Sequence, residues 1–378
     1  MHLGTQTVLL TPIGRSAVAT LLVDGPRATE IVSRLFQPAG NRPFAEQPID
    51  RILFGRWPSS EAGEDVVVCR RATDRVEINC HGGRMAARAI VDTLGACDCR
   101  EVDWPTWLQQ TTADPLEADA RTALADAVTE RTALILWEQH CGALRRAVDE
   151  VASLVAANEL PAALAKIDDL LAWSPLGLHL TVPWRVVLAG RPNVGKSSLI
   201  NALVGYRRAI VHSTPGTTRD VVTASAAVDG WPIELADTAG MRSEGQQLEK
   251  AGIQLAREQA ASADLLLLLF DRSQPWSAAD ESLATEWPRA LYVFNKCDLP
   301  AAAGMADPLG LTISAIGGAG LETLLAAIAA RLVPHSPPVG QAMPFLPSHV
   351  QALTAVRRAV ACADWTAAQT ALAPLLSR

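Results

Sequence analysis

The first hundred residues alternate short runs of β-branched and aliphatic residues with stretches of helical periodicity. The β-rich runs lie at 18–23, 51–54, 66–69 and 75–78, and the helical stretches lie near 26–36 and 83–94. Short β-branched runs are typical of strands, whereas apolar residues three and four positions apart are typical of amphipathic helices. The pattern predicts a mixed α/β domain over residues 5–103.

A second region, from residue 116 to about residue 172, is rich in Ala, Leu, Glu and Arg. Its apolar side chains recur at helical spacing, as in Leu134, Trp137, Cys141, Leu144 and Val148. Such spacing places the side chains on one stripe of a helix. We therefore predict a long helical hairpin in which this stripe, Trp137 included, faces the core.

The helical pattern ends at 174–177, and from 184 to 332 strands alternate with helices. That alternation predicts a doubly wound, mostly parallel sheet with helices on both faces. A proline-rich linker at 334–338 leads to 347–376, which is predicted to form one or two short helices. The fold class is therefore α/β, with four predicted segments. They are an N-terminal α/β domain (1–115), a helical part (116–182), a second α/β domain (183–333), and a linker with a short further helical part (334–378).

Composition and charge exclude several classes of protein. Of the 378 residues, 49% are hydrophobic and 19% are charged, which is typical of a folded chain. The longest aliphatic block, 265–270, is too short to cross a bilayer, and the N-terminus lacks the basic segment of a signal peptide. We therefore expect a cytoplasmic protein without a membrane segment. The formal net charge is −7 and no segment is a basic arm, so electrostatics do not imply a tRNA or other RNA partner.

The strongest chemical signal is a glycine-rich loop between a predicted strand at 185–189 and a predicted helix. Its sequence runs from Gly190 through Arg-Pro-Asn-Val to Gly195, Lys196 and Ser197. This is the phosphate-binding loop pattern, in which backbone N–H groups and a helix N-terminus face the phosphates. Lys196 is expected to bridge β and γ oxygens, and Ser197 to ligate Mg²⁺. The residues predicted to contact the nucleotide here are Gly190, Asn193, Gly195, Lys196, Ser197 and Ser198.

Two further segments suit the metal and the γ-phosphate. A predicted strand at 233–236 ends at Asp237, whose carboxylate can hold Mg²⁺ through water, and the N–H of Gly240 is expected near the γ-phosphate. Thr217 and Thr218 lie between the loop's helix and that strand, where a hydroxyl of Thr218 could supply a second metal ligand. We predict Ser197, Thr218 and Asp237 as the magnesium ligands.

Two later segments suit guanine. Asn295, Lys296 and Asp298 follow a predicted strand at 291–294, at the strand end where doubly wound sheets bind ligands. Asp298 can accept from both N1–H and the exocyclic amine of guanine, a donor pair that adenine lacks. Ser314 and Ala315 follow the next strand and are suited to present a backbone N–H to the guanine oxygen. These motifs, in this order, predict a site for GTP or GDP.

The motifs resemble one family of GTPases in particular. The segments GRPNVGKSSLINAL, STPGTTRDVV, DTAGMR followed by QLEKAGI, and NKCD are similar to those of the tRNA-modification GTPase family called MnmE or TrmE. Weaker similarity at 11–15, 76–83 and 139–144 extends the resemblance to the N-terminal and helical parts. The resemblance implies a GTPase domain inserted in a helical domain, behind an N-terminal domain that binds formyl-tetrahydrofolate and dimerises. It also implies tRNA wobble-uridine modification together with a flavoprotein partner.

Met241 stands where many GTPases have a glutamine that orients the attacking water, and a thioether cannot do this. The resemblance implies that a potassium ion held by Asn193 supplies charge and that Glu249 orients the water. With Lys196, these are the predicted catalytic residues. Alternatively, Asn193 is only a turn residue and Glu249 only favours a helix dipole.

Some parts depart from the family pattern. Residues 104–107 and 111–114 replace a family segment that leads into the helices, and residues 374–378 lack its terminal cysteine motif. Cys362 lies in an apolar segment, where a buried thiol would be inert. These departures predict weak or absent modification chemistry by this chain alone. The alternatives are a diverged GTPase switch or dimerisation module, and a ribosome-assembly GTPase, which should carry a basic RNA-binding domain.

Overall fold

The computed structural model describes residues 4–12, 16–58, 63–205, 223–237, 258, 261–303, 305 and 310–376. The chain divides into two compact units, Met1–Ala113 and Asp114–Arg378. None of the helices in these described ranges is long and apolar enough to cross a membrane.

The first unit is a seven-stranded sheet, counted over its described residues, with helices. Its strands are β1 (Gln6–Leu9), β2 (Val18–Asp24), β3 (Gln37–Pro38), β4 (Ile52–Trp57), β5 (Glu64–Ala72), β6 (Arg75–His81) and β7 (Arg100–Glu101). Its helices are α1 (Ala28–Leu35), α2 (Arg84–Gly95) and α3 (Trp104–Thr111). The strand order is β3-β4-β5-β6-β2-β1-β7, and the pairs are antiparallel except for β1 with β7. The predicted mixed α/β fold is confirmed.

The two faces of this sheet differ because successive side chains in a strand point to opposite sides. Leu21, Val68 and Ile78 are buried and share one core with Ile31 of α1 and Ile90 of α2. On β4, by contrast, Ile52 is 72% exposed and Phe54 is 57% exposed. Part of the second face therefore presents large apolar side chains to solvent.

The second unit combines helices with another sheet. Its elements before the phosphate loop are α4 (Pro115–Asp126), α5 (Glu130–His140), α6 (Ala143–Ala156), α7 (Leu160–Ala172), α8 (Ser174–Gly177) and β8 (Trp184–Gly190). The elements after it are α9 (Lys196–Gly205), β9 (Thr223–Val228), β10 (Trp231–Asp237), β11 (Leu265–Asp271), α10 (Ala278–Glu286), β12 (Leu291–Asn295), β13 (Leu311–Thr312), α11 (Leu321–Leu332), α12 (Pro347–Ala361) and α13 (Trp365–Leu376). Helix α12 packs on α7, and α13 packs on α4 and α6. Helices from both sides of the sheet segment thus form one helical body, which confirms the inserted arrangement.

The predicted long hairpin and its continuous stripe are wrong. Helix α5 ends at His140, and Gly142 has a φ of +89°, which turns the chain before α6. Because Trp137 and Leu144 lie on different helices, they do not share a face. Trp137 is 52% exposed, whereas Leu144 and Val148 are buried. Cys362 is also exposed, since it follows the end of α12, which corrects the predicted burial of its thiol.

The sheet of the second unit has the order β13-β12-β11-β8-β10-β9. All its pairs are parallel except β9 with β10, which are joined as an antiparallel hairpin. Leu267 and Leu269 of β11 point into one core, while Leu266 and Leu268 point into another on the opposite face. Burial on both faces explains why this strand is an uninterrupted aliphatic run.

The helical body contacts the sheet at the turn between β9 and β10. Arg131 of α5 forms a 2.9 Å ion pair with Asp229, and its guanidinium lies 5.0 Å from the ring centroid of Trp231. Asp229 and Gly230 both have positive φ, and a Cβ on Gly230 would lie 3.0 Å from the Arg131 Cβ. The turn therefore adopts a conformation that suits glycine and lets the helix approach closely.

A second connection joins the helical body to the segment that returns from the sheet. The buried side chain of Gln139 donates from Nε2 to the Gln341 carbonyl at 2.9 Å and accepts at Oε1 from the Met343 N–H at 3.3 Å. Gly177 lies against the same returning segment, since a Cβ there would be 2.2 Å from the Pro344 carbonyl oxygen. The two halves of the helical body therefore meet in close backbone contact.

Replacing Gly177 with alanine should destabilise the helical body, because the added methyl group collides with rigid backbone. We expect Gly177→Ala to lower the free energy of unfolding by about 1–3 kcal/mol, the usual cost of overpacking a close-packed interior. Gly205→Ala is the matched control, since a Cβ there meets nothing within 4 Å. Chemical denaturation of both variants tests this, and equal stability would contradict the close contact.

Candidate nucleotide-binding site

The loop between β8 and α9 has a backbone that only glycine supports at two positions. Gly190 has a φ of +148°, and a Cβ there would lie 2.3 Å from the Leu269 carbonyl oxygen. Gly195 has a φ of +99°, and its Cβ would lie 2.2 Å from Asn295 Nδ2. The loop ends at the N-terminus of α9, where the direction of the N–H groups and the helix dipole favour an anion. This geometry suits a phosphate chain.

Lys196, the first residue of α9, is buried and folds back over the loop. Its ammonium group donates to the carbonyl oxygens of Gly190, at 3.0 Å, and Arg191, at 2.9 Å. These bonds hold a positive charge across the mouth of the anion-binding loop. The same flexible side chain can reach phosphate oxygens, because an ammonium group carries three donors.

Ser197 and Asp237 form the predicted metal pair. The Ser197 hydroxyl donates to Asp237 Oδ2 at 2.9 Å. Asp237 is buried at the end of β10, which runs beside β8, so the two strands end at the same edge of the sheet. Hydroxyl and carboxylate oxygens are the hard ligands that Mg²⁺ takes. The donor pair therefore fits a magnesium ion at the phosphate end of the site.

Asn295, at the end of β12, connects the phosphate loop to the segment after β13. Its Nδ2 donates to the Val194 carbonyl at 2.9 Å, and its Oδ1 accepts from the Ala315 N–H at 2.9 Å. Both bonds are buried, which makes them costly to break. The Ala315 N–H, predicted to face a guanine oxygen, is thus already donated to Asn295 and would have to be shared between two acceptors.

Asp298 is held by the segment after β13. The Ser314 hydroxyl donates to Asp298 Oδ1 at 2.5 Å and accepts from the Gly317 N–H at 2.8 Å. Ser314 thereby fixes one oxygen of the carboxylate that is predicted to read guanine. Ser314 therefore orients Asp298 through its side chain, a role that the sequence did not predict.

Asp271, at the end of β11, holds the cavity-lining residue Lys296 and was missed from the sequence. Lys296 has a φ of +69°, and its ammonium donates to Asp271 Oδ2 at 2.6 Å. Burial alone would raise the pKa of Asp271, but the hydrogen bonds from Lys296 and Ser273 hold that pKa below its ordinary value. The sequence did contain a signal for Asp271, because this residue ends an aliphatic strand. The carboxyl ends of neighbouring parallel strands meet at one edge of the sheet, where ligands bind.

One cavity of about 460 Å³ brings together eight of the twelve predicted residues that the structure describes. Its lining consists of the phosphate loop and the segments after β12 and β13: Pro192, Asn193, Gly195, Lys196, Ser197, Ser198, Asn295, Lys296, Asp298 and Ile316. The volume falls within the range of small-ligand sites. Four predicted residues, Thr217, Thr218, Gly240 and Glu249, lie outside the described residues, as does Met241.

Comparison with known proteins gives a matching family model and similar curated relatives. The family model described as "50S ribosome-binding GTPase" matches residues 185–296. A tRNA modification GTPase MnmE from Chloroflexus aurantiacus is 32% identical over 99% of this chain and 92% of its own length. Another, from a Synechococcus strain, is 33% identical over 83% of this chain and 78% of its own length. The chain belongs to the MnmE family.

The MnmE family assignment accounts for the cavity at the sheet edge. Together with the matched GTPase domain, it makes this chain a GTPase that binds GTP and GDP with Mg²⁺. Among solved structures, Era from Aquifex aeolicus is 26% identical over 46% of this chain and 66% of its own, with a TM-score of 0.31.

In this MnmE-family chain, Asn295→Asp should weaken GDP binding. The change keeps the acceptor for Ala315 but places an oxygen opposite the Val194 carbonyl, so one buried bond is lost. We expect a loss of about 1–3 kcal/mol, or roughly 5- to 150-fold in Kd. Asn201→Asp on the exposed side of α9 is the matched control. Titration calorimetry with GDP tests both, and an unchanged Kd in the Asn295 variant would refute this role.

Proposed function

We propose that this chain hydrolyses GTP to drive a conformational change during tRNA wobble-uridine modification. The observation that carries the proposal is the nucleotide cavity at the sheet edge of a domain inserted into one helical body. Its curated relatives are named tRNA modification GTPases. Because the helical body contacts the sheet at the β9–β10 turn, a change at the nucleotide has a physical route into the helices.

We assign nucleotide roles by position in the site. Lys196 would contact the β and γ oxygens, with backbone N–H groups of the loop around the phosphates. Mg²⁺, held by Ser197, Thr218 and Asp237, would neutralise charge on those oxygens. The remaining proposed nucleotide contacts are Gly190, Gly195, Ser198, Thr217, Gly240, Asn295, Lys296, Asp298, Ser314 and Ala315. Of these, Asp298 is the residue that would select guanine.

Met241 cannot orient the attacking water, and hydrolysis also needs a group that stabilises the developing negative charge. Asn193 lines the cavity, and its φ of +62° holds the loop in a left-handed turn there. Its amide oxygen is a hard ligand suited to a potassium ion, which would stabilise developing negative charge. Glu249 would orient the attacking water.

The potassium role predicts faster GTP hydrolysis when sodium is replaced by potassium. The stimulation has a ceiling of about 10³- to 10⁵-fold, the contribution of an arginine finger in other GTPases. An Asn193→Ala variant should lose the stimulation while still binding GDP. Single-turnover hydrolysis in the two salts measures this, and equal rates in both salts would contradict the role.

The first unit would form a homodimer and bind formyl-tetrahydrofolate, as in the family that the sequence resembles. Support for a dimer comes from β4, where Ile52 and Phe54 expose large apolar surfaces on one sheet face. The functional segments would be 1–115 for dimerisation and folate, 116–182 with 334–378 for the helical body, and 183–333 for GTP. A flavoprotein partner and a cytoplasmic location complete the proposal.

Two alternatives differ in what they require. A diverged GTPase switch or dimerisation module would keep the nucleotide cycle without modification chemistry, and the departures at 104–107 and 111–114 favour it. A ribosome-assembly GTPase agrees with the description of the matched family model. That function needs a basic RNA-binding domain, whereas residues 334–378 carry only three basic side chains and one acidic one.

Complementation tests the proposed function directly. The full chain should restore wobble-uridine modification in cells that lack the family's enzyme, as measured by mass spectrometry of tRNA nucleosides. A Lys196→Ala variant expressed at the same level should not restore it, because productive phosphate binding is lost. If the full chain hydrolyses GTP but restores no modified uridine, the switch alternative replaces the proposal.

A further inference from the structure

Arg191, the second residue of the phosphate loop motif, does not line the nucleotide cavity. It lines a neighbouring cavity of about 280 Å³, which shares Asn193 and Lys296 with the nucleotide cavity. From there its Nη1 donates to Ser277 Oγ and to Asp280 Oδ2, both at 3.1 Å. The side chain therefore joins the loop to the start of α10.

Asp280 is a buried acceptor with several donors. Its Oδ2 accepts from the Ser277 N–H at 3.0 Å and from the Ser277 hydroxyl at 2.5 Å, while its own N–H donates back to Ser277 Oγ. This is a capping box, which fixes the first turn of α10. A buried carboxylate needs a cationic partner, and Arg191 provides one. The contact between Arg191 and Asp280 therefore ties the phosphate loop to the capped first turn of α10.

The two halves of the phosphate loop have separate anchors. Asn295 Nδ2 holds the second half at the Val194 carbonyl. Arg191 holds the first half through α10, and its own carbonyl receives a bond from the Lys196 ammonium. Asn193 lies between the two anchors with a φ of +62°, a left-handed conformation in which asparagine is enriched among the non-glycine residues.

We propose that Arg191 is a positioning residue for hydrolysis, which holds the first half of the phosphate loop, and Asn193 with it, in the geometry of the transition state. The inference rests on the proposed role of Asn193 at the γ-phosphate side. The nucleotide diphosphate itself would be bound by the second half of the loop and by α9. Losing Arg191 should therefore slow hydrolysis far more than it weakens GDP binding.

The first test separates kcat from affinity. In the full chain, Arg191→Ala should lower the rate of single-turnover hydrolysis about 10- to 100-fold, since a misplacement of about 1 Å can cost roughly 100-fold in rate. The Kd for GDP should stay near that of the parent. Arg191→Lys should retain most of the rate, because a single nitrogen makes both contacts and a lysine ammonium can replace it. Arg185→Ala is the matched control, since Arg185 is at the far end of β8 and contacts Ser262.

A double variant distinguishes positioning from lost stability. Arg191→Ala leaves the buried Asp280 carboxylate without this partner, so the variant risks unfolding. Asp280→Asn removes that charge, and if Arg191 acts through Asp280, the double variant should hydrolyse GTP no more slowly than Arg191→Ala alone. Parent-like hydrolysis in Arg191→Ala, or equal losses in rate and GDP affinity in the folded double variant, would overturn the inference.

The hydrolysis measurements in sodium and potassium salts, combined with those on the Arg191 variants, distinguish failure of this inference from failure of the Asn193 role. If the parent chain shows no response to potassium, the Asn193 role fails on that result alone. A rate loss confined to Arg191→Ala and rescued by Arg191→Lys would then still support Arg191 as the tether of the loop.

Discussion

The nucleotide site depends on one buried side chain, Asn295, which is hydrogen-bonded to two loops at once. Its amide joins the Val194 carbonyl of the phosphate loop to the Ala315 N–H after β13. Only an amide offers a donor and an acceptor in this arrangement, so neither aspartate nor leucine can substitute. The close approach also explains Gly195, where any side chain would occupy the position of the Asn295 amide. The phosphate and base ends of the site are therefore fixed relative to each other.

Strand β10 connects the nucleotide site to the helical body, because its two ends lie at opposite edges of the sheet. Strand β10 begins at Trp231, beside Arg131 of α5, and ends at Asp237, beside Ser197. This seven-residue strand, paired to β8 and β9 on its two sides, runs from the helical contact to the metal pair. Such a strand moves as a unit because its hydrogen bonds resist bending. A displacement of Asp237 would therefore also move the start of the strand, where Trp231 contacts Arg131.

Much of the site was predictable, because the order of residues carries the chemistry. The loop from Gly190 to Ser197 and the placement of Asp237 follow from local patterns that need no tertiary information. The path of the helices was not predictable in the same way. Trp137 shares its spacing with Leu144, yet a positive φ at Gly142 separates their helices, and such a turn leaves no periodic signal. The contact of Arg191 with Asp280 was not predictable either, because the two residues are distant in sequence.

The central claim is that this sheet edge selects a guanine nucleotide. Titration calorimetry of the full chain with GDP and with ADP, each with Mg²⁺, tests the claim most directly. Because Asp298 would pair with two donors that adenine lacks, the account predicts a preference for GDP of about 10⁴-fold or more. Comparable affinities for GDP and ADP would contradict it.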